Sequence, residues 1–388
     1  MERLFLLLKT TTYQIYTSIS QLPDSWNTVA HDNAFLQTPY LKVLENAAPT
    51  NMKCFYIGIF QNTELAGVAL SQYLDLNKLE SFGERDKCLK TFIRNFIFKN
   101  FASHVLFLGN NMITGQNCYA FNKPIDLKTI SDLLLECADE IKNYFKKQNI
   151  TIHIISFKDF YQEYAQPLKK FGFQSIYEFN TQPNMVFELP THWHNDEDYI
   201  KAFSKKYRDQ YKRAQNKIKG IEIRELSLDE VIANEDRIYQ LYHYVAKNAP
   251  FNTFFLDKHH FSSFKQQCGE RFVLCGYFLN QKLVGFHTLL LNGNVLETYF
   301  LGYDDKIQKE KMLYLNMLYN MTKFGIDHKF RKIIFGRTAL EIKSSIGAQP
   351  VVMSGFIYHT NKWINKLMPV IFPKLEPESV WQQRHPFK

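Results

Sequence analysis

The feature that most constrains how this 388-residue chain folds is a pattern that occurs twice. The stretches IGIFQNTELAGVAL (57–70) and CGYFLNQKLVGFHTL (275–289) share the spacing G-x-F-x-N-x-x-L-x-G. In both, apolar residues lie on either side of a short polar tip, which is typical of two antiparallel strands joined by a tight turn. Corresponding residues, such as Gly58 and Gly276, are 218 positions apart throughout. The pattern predicts two β-hairpins that belong to two copies of one unit.

The segments around the two hairpins match in the same order. Before each hairpin, a Phe-Leu pair precedes a predicted helix, in AFLQTPYLKVL and in FFLDKHHFSSF. After each come a strand that ends in Leu-Gly (HVLFLGN, ETYFLGY), an amphipathic helix and another strand (ITIHIISF, RKIIFG). Each copy then has a helical stretch with a glycine, LKKFGFQSIYEF or IKSSIGAQPVVM. Agreement over five consecutive elements predicts a duplication.

A boundary between two domains is predicted near NTQPNMVFELPTHWHND, where Pro183 and Pro190 flank one strand. The chain length also favours two domains over one. We therefore expect an N-terminal domain over residues 1–183 and a C-terminal domain over 184–388.

The order hairpin, strand, helix, strand, helix, strand resembles the GNAT acyltransferase fold, and a tandem of two such units resembles its FemAB-like branch. In the second half, KKYRDQYKRAQNKIKGIEI looks like the FemAB-type basic helix followed by Gly and a strand. FGRTALEIKSSIGA looks like the late strand, helix and Lys motif of that family. The resemblance implies an α+β fold of two GNAT-like domains, each with a mixed, mostly antiparallel sheet flanked by helices. It also implies N-acyl transfer to an amine acceptor held in a cleft between the domains.

The basic helix is predicted to run from Asp196 to Lys219, with one apolar face. Lys205, Arg208 and Lys212 fall on another face, where they would bind phosphates of the donor or simply be solvated.

The stretch IIFGRTALEIKSSIGA is the leading candidate for the site. Arg337 and Thr338 are predicted where a buried strand meets a helix N-terminus, a place that favours anions, and Glu341 and Lys343 follow. By the family resemblance, Lys343 would stabilise phosphate or the developing oxyanion. The alternative is an Arg337–Glu341 pair on the helix surface with an exposed Lys343.

The strand in LETYFLGYDD supplies candidates for proton transfer. Strand alternation predicts Glu297, Tyr299 and Leu301 on one face. A Glu297 that points into an apolar sheet would have a raised pKa and could accept an amine proton. His287 on the neighbouring strand is a rival base, and Tyr303 is a candidate acid.

One departure from the GNAT pattern concerns the donor. Catalytic GNAT enzymes usually carry Gln/Arg-x-x-Gly-x-Gly/Ala after this strand, whereas here Gln308 is followed by KEKML. The standard coenzyme A loop is therefore expected to be absent or altered, which leaves acyl-CoA held differently or an aminoacyl-tRNA as donor. The matching stretch of the first half, LGNNMITGQNCYAF, has Gly109 and Gly115 but no basic partner, so that half is interpreted as a degenerate copy that shapes the cleft.

The net charge and the two ends of the sequence indicate which classes of partner and which location to expect. A formal net charge of +9 favours an anionic partner such as phosphate, tRNA or an acidic membrane, and no DNA partner is expected. The N-terminal apolar run is too short for a secretory signal, so a cytoplasmic location is predicted. The tail NKWINKLMPVIFPKLEPESVWQQRHPFK alternates Lys with apolar residues and would either contact a membrane or dock on the protein's own core.

The cysteines lack CxxC spacing and are expected to be reduced thiols, and the histidines lack metal-ligand spacing, so neither a metal nor a tightly bound cofactor is expected. We predict an N-acyltransferase that uses an activated acyl donor, most simply acyl-CoA. One alternative is aminoacyl-tRNA-dependent transfer to a cell-wall-type precursor, which predicts salt-sensitive binding in a basic groove. The other is a non-catalytic binding module, in which Arg337, Glu341 and Lys343 would point away from any cleft.

Overall fold

The computed structural model describes residues 11–78, 99–180, 182–249, 252–372 and 381–388. The strands are β1 Thr11–Tyr16, β2 Met52–Gln61, β3 Glu64–Asp75, β4 His104–Leu108, β5 Tyr119–Phe121, β6 Ile154–Tyr161, β7 Tyr177–Asn180, β8 Asn184–Glu188, β9 Ile221–Glu225, β10 Phe272–Leu279, β11 Lys282–Asn292, β12 Val295–Tyr303, β13 Lys332–Gly336, β14 Gln349–Val351 and β15 Met353–His359. The helices are α1 Trp26–Val29, α2 Thr38–Ala47, α3 Leu127–Lys146, α4 Gln162–Phe171, α5 Asp196–Ala202, α6 Lys205–Lys217, α7 Leu228–Ala233, α8 Glu235–Asn248, α9 His260–Cys268, α10 Asp305–Lys311, α11 Leu313–Asp327, α12 Leu340–Ser344 and α13 Lys362–Ile371.

The two repeated stretches form the hairpins β2–β3 and β10–β11, as predicted. Both have a two-residue turn in which both residues have positive φ, Asn62–Thr63 and Asn280–Gln281. Turns of this kind match the twist of the strands that they join. Both hairpins also have a register shift at the same place, next to Phe60 in one and Phe278 in the other. The duplication therefore extends to the irregularities of the backbone.

The strands form two sheets with the same arrangement. The first sheet has the order β1-β2-β3-β4-β6-β15-β7, with β5 paired to β3, and the second has the order β9-β10-β11-β12-β13-β8-β14. In each sheet one pair is parallel, β4–β6 or β12–β13, and the other pairs are antiparallel. The predicted fold class, two tandem GNAT-like units with mixed and mostly antiparallel sheets, is confirmed.

Each sheet takes its sixth strand from the other half of the chain. Strand β8 follows β7 as β15 follows β14, so β8 is the last strand of the first copy and β15 is the last strand of the second. Strand β8 nevertheless pairs with β13 and β14, whereas β15 pairs with β6 and β7. Only Val352 separates β14 in one sheet from β15 in the other. The proposed boundary at residues 183 and 184 stays a prediction, because the two halves complete each other's sheets.

The repeated helices that precede the hairpins meet at the interface between the halves. Helix α2 packs against α9, and a shared apolar core there includes Tyr40 and Leu41 of α2 and Phe261 and Phe264 of α9. Each half has a second core on the outer face of its own sheet. The inner faces of both sheets are thus joined through this interface.

The prediction of a single helix from Asp196 to Lys219 is wrong. Helix α5 ends at Ala202 and α6 begins at Lys205, because the C-terminal residues pair with the backbone between them. The Ser204 N–H donates to Pro386 O (2.8 Å), and the Lys388 N–H donates to Ala202 O (3.1 Å). These bonds use backbone groups that a continuous helix would need for itself.

The predicted alternation along β12 is also wrong beyond Tyr299. The register against β11 shifts there, so that one residue, Thr288, lies opposite two. Tyr299 and Phe300 both pack on the core between the halves, and Leu301 packs on the outer core. The bulge therefore moves Leu301 to the face opposite Glu297.

Several predictions concern segments that the structure describes only in part. The N-terminal apolar run, Cys88 and the part of the tail that contains Pro373 lie outside the described residues. Cys54, Cys118, Cys137, Cys268 and Cys275 are free thiols. No helix in the described part of the chain is long and apolar enough to cross a membrane. Helix α13 exposes Trp363, Leu367 and Val370, and a membrane contact through it stays a prediction.

Candidate active site

The parallel strands β12 and β13 separate at Glu297. Their ladder has three pairs, from Val295–Lys332 to Glu297–Ile334. Beyond it, β12 continues to Tyr303 beside β11, while β13 ends at Gly336 beside β8. Diverging strands leave backbone groups that need other partners, and ligands commonly bind beyond the carboxyl ends of parallel strands. The opening between these two strands is therefore a candidate ligand-binding site.

Glu297 lies at this opening and faces the other half. Its Oε1 accepts from Asn292 Nδ2 (3.5 Å), and Asn292 Oδ1 accepts from the Ala34 N–H of the first half (2.9 Å). Burial and, after it, the nearby carboxylate of Glu297 raise the pKa of Tyr161, at the end of β6. Burial raises the pKa of Glu297 to about 7, although the Asn292 bond and Lys332 oppose the shift. A carboxylate with this pKa can accept or return a proton near neutral pH.

His287 and Tyr303 lie on the other face of the second sheet. His287 is buried, its Nδ1 lies 3.1 Å from the hydroxyl of Tyr277, and burial lowers its pKa to about 3. Tyr303 packs near Tyr314, and burial raises its pKa. Tyr303 is six residues from Glu297, or roughly 20 Å along a strand. The structure does not bring these two residues to the Glu297 opening.

Lys343 is buried beneath the end of β13. Its Nζ donates to the carbonyl oxygens of Phe335 (2.7 Å), Gly336 (3.3 Å) and Arg337 (2.6 Å). An ammonium group has three donors, so all of them are used by the backbone. Burial lowers the pKa of Lys343 to about 7. The geometry makes Lys343 a support for the backbone of Arg337; its predicted contact with an oxyanion would require one of these bonds to open.

Arg337 forms an ion pair that joins the two halves. Its Nη2 donates to Asp159 Oδ1, and Asp159 Oδ2 accepts from Lys158 Nζ. Lys158 Nζ also donates to Asn110 O (3.0 Å) and Ile113 O (3.1 Å) of the loop after β4. The expectation that this loop has no basic partner is therefore wrong. The pair predicted as an alternative, Arg337 with Glu341, does not form, because Glu341 pairs with Arg384.

The backbone near this ion pair adopts unusual conformations. Asp159, Gly336, Thr338 and Ala339 all have φ between 47° and 70°. Residues other than Gly rarely adopt these positive φ values, and those that do are concentrated at functional sites. The short turn from Gly336 to Ala339 ends in α12, which has five residues and contributes little dipole.

The remaining predicted site residues lie at the surface. Thr338 and Glu341 line an open cavity of about 360 Å³ together with Trp381. Lys205 and Lys212 are exposed on α6. Arg208 Nη2 donates to Phe203 O (2.8 Å), so this guanidinium supports the break between α5 and α6.

The segment that departs from the GNAT pattern is helical. Gln308 lies in α10, and its backbone N–H donates to Asp304 O (2.9 Å). Met312, with φ 49°, then connects α10 directly to α11. An open loop of free N–H groups is therefore replaced by a helix whose own bonds use them.

Four residues near the opening were missed by sequence reasoning: Tyr161, Lys158, Asp159 and Asn184. The first three end the strand of ITIHIISFKDFY, and the charged pair KD in an otherwise apolar strand was a signal that burial would require partners. Asn184 offered no signal in the sequence. In the described ranges, no group of three or more His, Cys, Asp or Glu side chains is placed to hold a metal ion.

Two units of hairpin, strand, helix and strand, arranged in tandem, define the tandem GNAT fold. Among solved structures, the chain is similar to FemX, with a TM-score of 0.52 and 12% identity over 87% of this chain and 94% of that chain. It is also similar to a tandem GNAT protein from the clavulanic acid biosynthesis pathway, with a TM-score of 0.48 and 8% identity over 90% and 98% of the two chains. L-PGS from Bacillus licheniformis has a TM-score of 0.47 and 12% identity over 86% and 94%. No protein-family model and no curated protein matches the chain. The fold resembles the FemAB-like branch, as the sequence motifs predicted.

Proposed function

We propose that the protein is an N-acyltransferase that transfers an activated acyl group to an amine held between the two halves. The observation that carries this proposal is Glu297, a carboxylate whose pKa is raised to about 7 where β12 and β13 diverge. Amine acceptors are protonated at neutral pH and cannot attack a carbonyl until they lose a proton. A base with a pKa near 7 suits this step.

In the proposed reaction, Glu297 takes one proton from the ammonium group of the acceptor. The free amine attacks the carbonyl carbon of the donor, and the C–N bond forms as the bond to the leaving group breaks. Protonated Glu297 gives its proton to the leaving thiolate or alkoxide, which returns Glu297 to its ionised form. The nitrogen releases its second proton to solvent, so that the products are a neutral amide, a thiol or hydroxyl and one free proton. Positioning of the two reactants and backbone N–H groups of the separated strands would supply most of the acceleration.

The donor is either an acyl-CoA or an aminoacyl-tRNA. Helix α10 in place of a glycine-rich loop favours a donor that is not gripped through a standard pyrophosphate cradle. The exposed Lys205 and Lys212 on α6 provide positive charge for a phosphate backbone. A tRNA donor predicts affinity that falls steeply with salt, whereas an acyl-CoA donor predicts a shallower dependence.

The test is an amide-formation assay with a panel of acyl-CoAs and charged tRNAs, each offered with mixed primary amines. We expect turnover with one donor class, and a loss of about 100-fold or more in kcat for Glu297→Gln. The acidic limb of the kcat/KM profile should have a midpoint near pH 7 and disappear in the variant. Glu222→Gln, at an exposed carboxylate on β9, is the matched control. Absence of turnover with every donor would favour the non-catalytic binding module.

A further inference from the structure

Asn184 is a buried amide without hydrogen-bond partners. It is the first residue of β8, its exposure is 0%, and neither Oδ1 nor Nδ2 has a partner among the described residues. A buried amide with both ends unpaired is costly, so native proteins pair such groups with a ligand or an ordered water. Asn184 therefore marks a place where a polar group is expected.

Arg337 provides a second unpaired donor beside Asn184. The ladder between β13 and β8 ends at the pair Gly336–Met185, and Arg337 and Asn184 are the next residues on the two strands. Asp159 holds Nη2 of Arg337, whereas Nε is buried and has no partner among the described residues. The two residues are therefore neighbours at the end of the ladder, and each has a buried N–H donor without a partner among the described residues.

Two basic side chains, Lys158 and Arg337, share one carboxylate, Asp159. Burial, together with the neighbouring Arg337, holds the pKa of Lys158 well below its ordinary value, so a further anion nearby would favour the charged form of Lys158. The other hydrogen bonds of Lys158 Nζ go to carbonyl oxygens, which carry no compensating charge. An additional anion next to Arg337 would complete the cluster, because buried charges are normally paired.

The loop after β4 of the first half approaches both strand ends. A Cβ atom on Gly336 would meet only Thr114 Oγ1, at 3.8 Å. A Cβ atom on Gly115 would lie 3.3 Å from Asn117 Nδ2 and 4.0 Å from Asn184 Nδ2. The loop therefore passes close to Asn184 and places polar atoms beside it.

We propose that Arg337 and Asn184 form a subsite for an anionic oxygen group, a carboxylate or a phosphate, on the amine acceptor. Asp159 is the positioning residue that fixes the guanidinium. Arg337 follows Ile334, the strand partner of Glu297, by three residues, so the subsite lies roughly 10 Å along the strand from the base. The assignment to the acceptor rests on the proposed function, whereas anion binding itself does not.

Binding is tested by calorimetric titration of the full-length protein with sodium phosphate and, separately, sodium acetate, at constant ionic strength set with chloride. We expect one anion to bind at one site, and the stronger of the two to identify phosphate or carboxylate as the recognised group. Arg337→Lys, which keeps the charge but loses the planar fork, and Asn184→Ser should each weaken this affinity about tenfold. Arg331→Lys is the matched control, because Arg331 is exposed and directly precedes β13. This variant should bind the anion with the same affinity as the parent protein.

Asp159→Asn tests the positioning role. It should weaken anion binding in the protein with Arg337 and have little further effect in Arg337→Lys, which a general loss of stability would not reproduce. Equal weakening in both backgrounds would contradict positioning. Binding of neither anion, or binding unaffected by Arg337→Lys and Asn184→Ser, would overturn the subsite and leave ordered water as the partner of Asn184.

A separate readout distinguishes this subsite from the reaction. Glu297→Gln should bind the anion normally while losing transfer, so failure of the proposed function leaves the subsite standing. With active protein, amines that carry the recognised anion should have a lower KM than neutral amines of the same length. Arg337→Lys should reduce that ratio, and an unchanged ratio would contradict the assignment to the acceptor.

Discussion

Glu297, which is partly buried, and Lys343, which is buried, are ionisable side chains whose pKa values approach neutrality from opposite sides. Burial raises the pKa of Glu297 to about 7 and lowers that of Lys343 to about 7. Their partners differ, however. Glu297 has one long bond, to Asn292, and faces an opening, whereas all three donors of Lys343 bind carbonyls. The sequence identified both residues as candidates, but only their contacts separate a group that can exchange protons from one that holds the backbone.

Replacement of Glu297 by Gln should stabilise the folded protein at alkaline pH. The folded pKa of about 7 lies above the ordinary carboxyl value of 4.5, so the parent loses stability as pH rises from about 4.5 to 7. Above pH 7 the variant should be more stable by roughly 1–3 kcal/mol, and near pH 4 the two should agree. Thermal unfolding between pH 4 and 8 measures the difference. A gap that does not grow with pH would contradict the burial of this carboxylate.

Replacement of Lys343 by Met should destabilise the protein. The change leaves the carbonyls of Phe335, Gly336 and Arg337 without their donor, for a loss of roughly 2–4 kcal/mol in the free energy of unfolding. Lys309→Met, at an exposed lysine on α10, should change it by less than about 0.5 kcal/mol. Denaturant unfolding provides both values. A Lys343→Met variant with parental stability and impaired transfer would instead support the predicted oxyanion role.

The hairpins and the break between α5 and α6 show which elements a sequence can reveal. The turns at Asn62 and Asn280 depend on residues within each hairpin, so a local pattern predicted them. The break at Phe203 and Ser204 depends on Pro386 and Lys388, far along the chain, and its own residues continue the helical pattern. The bulge in β12 likewise depends on the match with β11. Local elements were predictable, and irregularities imposed by distant partners were not.

Three histidines lie in a row where strand β15 joins the first sheet. His104, at the start of β4, is 5.3 Å from His153 between ring centroids, and His153 stacks on His359 of β15 at 6.4 Å. His104 also faces the Tyr73 hydroxyl (2.7 Å), Asp75 and Lys78, and His359 Nε2 lies 2.7 Å from Phe101 O. Burial lowers the pKa of each ring, and that of His153 falls to about 4. The row is therefore neutral in the folded protein at neutral pH.

Acidification should weaken this end of the first sheet. Between about pH 6.5 and 4 the unfolded chain binds protons that the folded row does not, so stability falls as the pH falls. His153→Gln should make the melting temperature less dependent on pH in this range, whereas His31→Gln, at an exposed histidine, should not. Melting curves at pH 7, 6 and 5 are sufficient. The same slope in all three proteins would show that the row does not titrate as the contacts require.

The exchange of β8 and β15 could not be read from the sequence, although the presence of both strands could. A strand with one buried face fits either sheet equally well by pattern, and the two sheets have the same order because the chain is duplicated. Only Val352 separates β14 in the second sheet from β15 in the first, and nothing in this short segment signals that the chain crosses between sheets there. The opening at Glu297 and the ion pair of Arg337 with Asp159 both depend on this assembly of the halves.

The exchange predicts that the molecule unfolds as one unit. Phe356 of β15 is fully buried in the outer core of the first half, with ring contacts to Phe160 (6.0 Å) and Phe173 (4.9 Å). Phe356→Ala should lower the free energy of unfolding by roughly 3–5 kcal/mol. Because β15 cannot leave the first sheet without disturbing β14 in the second, hydrogen exchange should accelerate in peptides from both sheets. Calorimetry should still show a single transition, in which the calorimetric and van't Hoff enthalpies agree.

The matched variant is Phe187→Ala in β8, whose side chain packs in the outer core of the second sheet. This substitution should also accelerate hydrogen exchange in peptides from both sheets. Two separate transitions, with each substitution moving only the one that belongs to its own sheet, would show that the halves fold independently despite the exchanged strands.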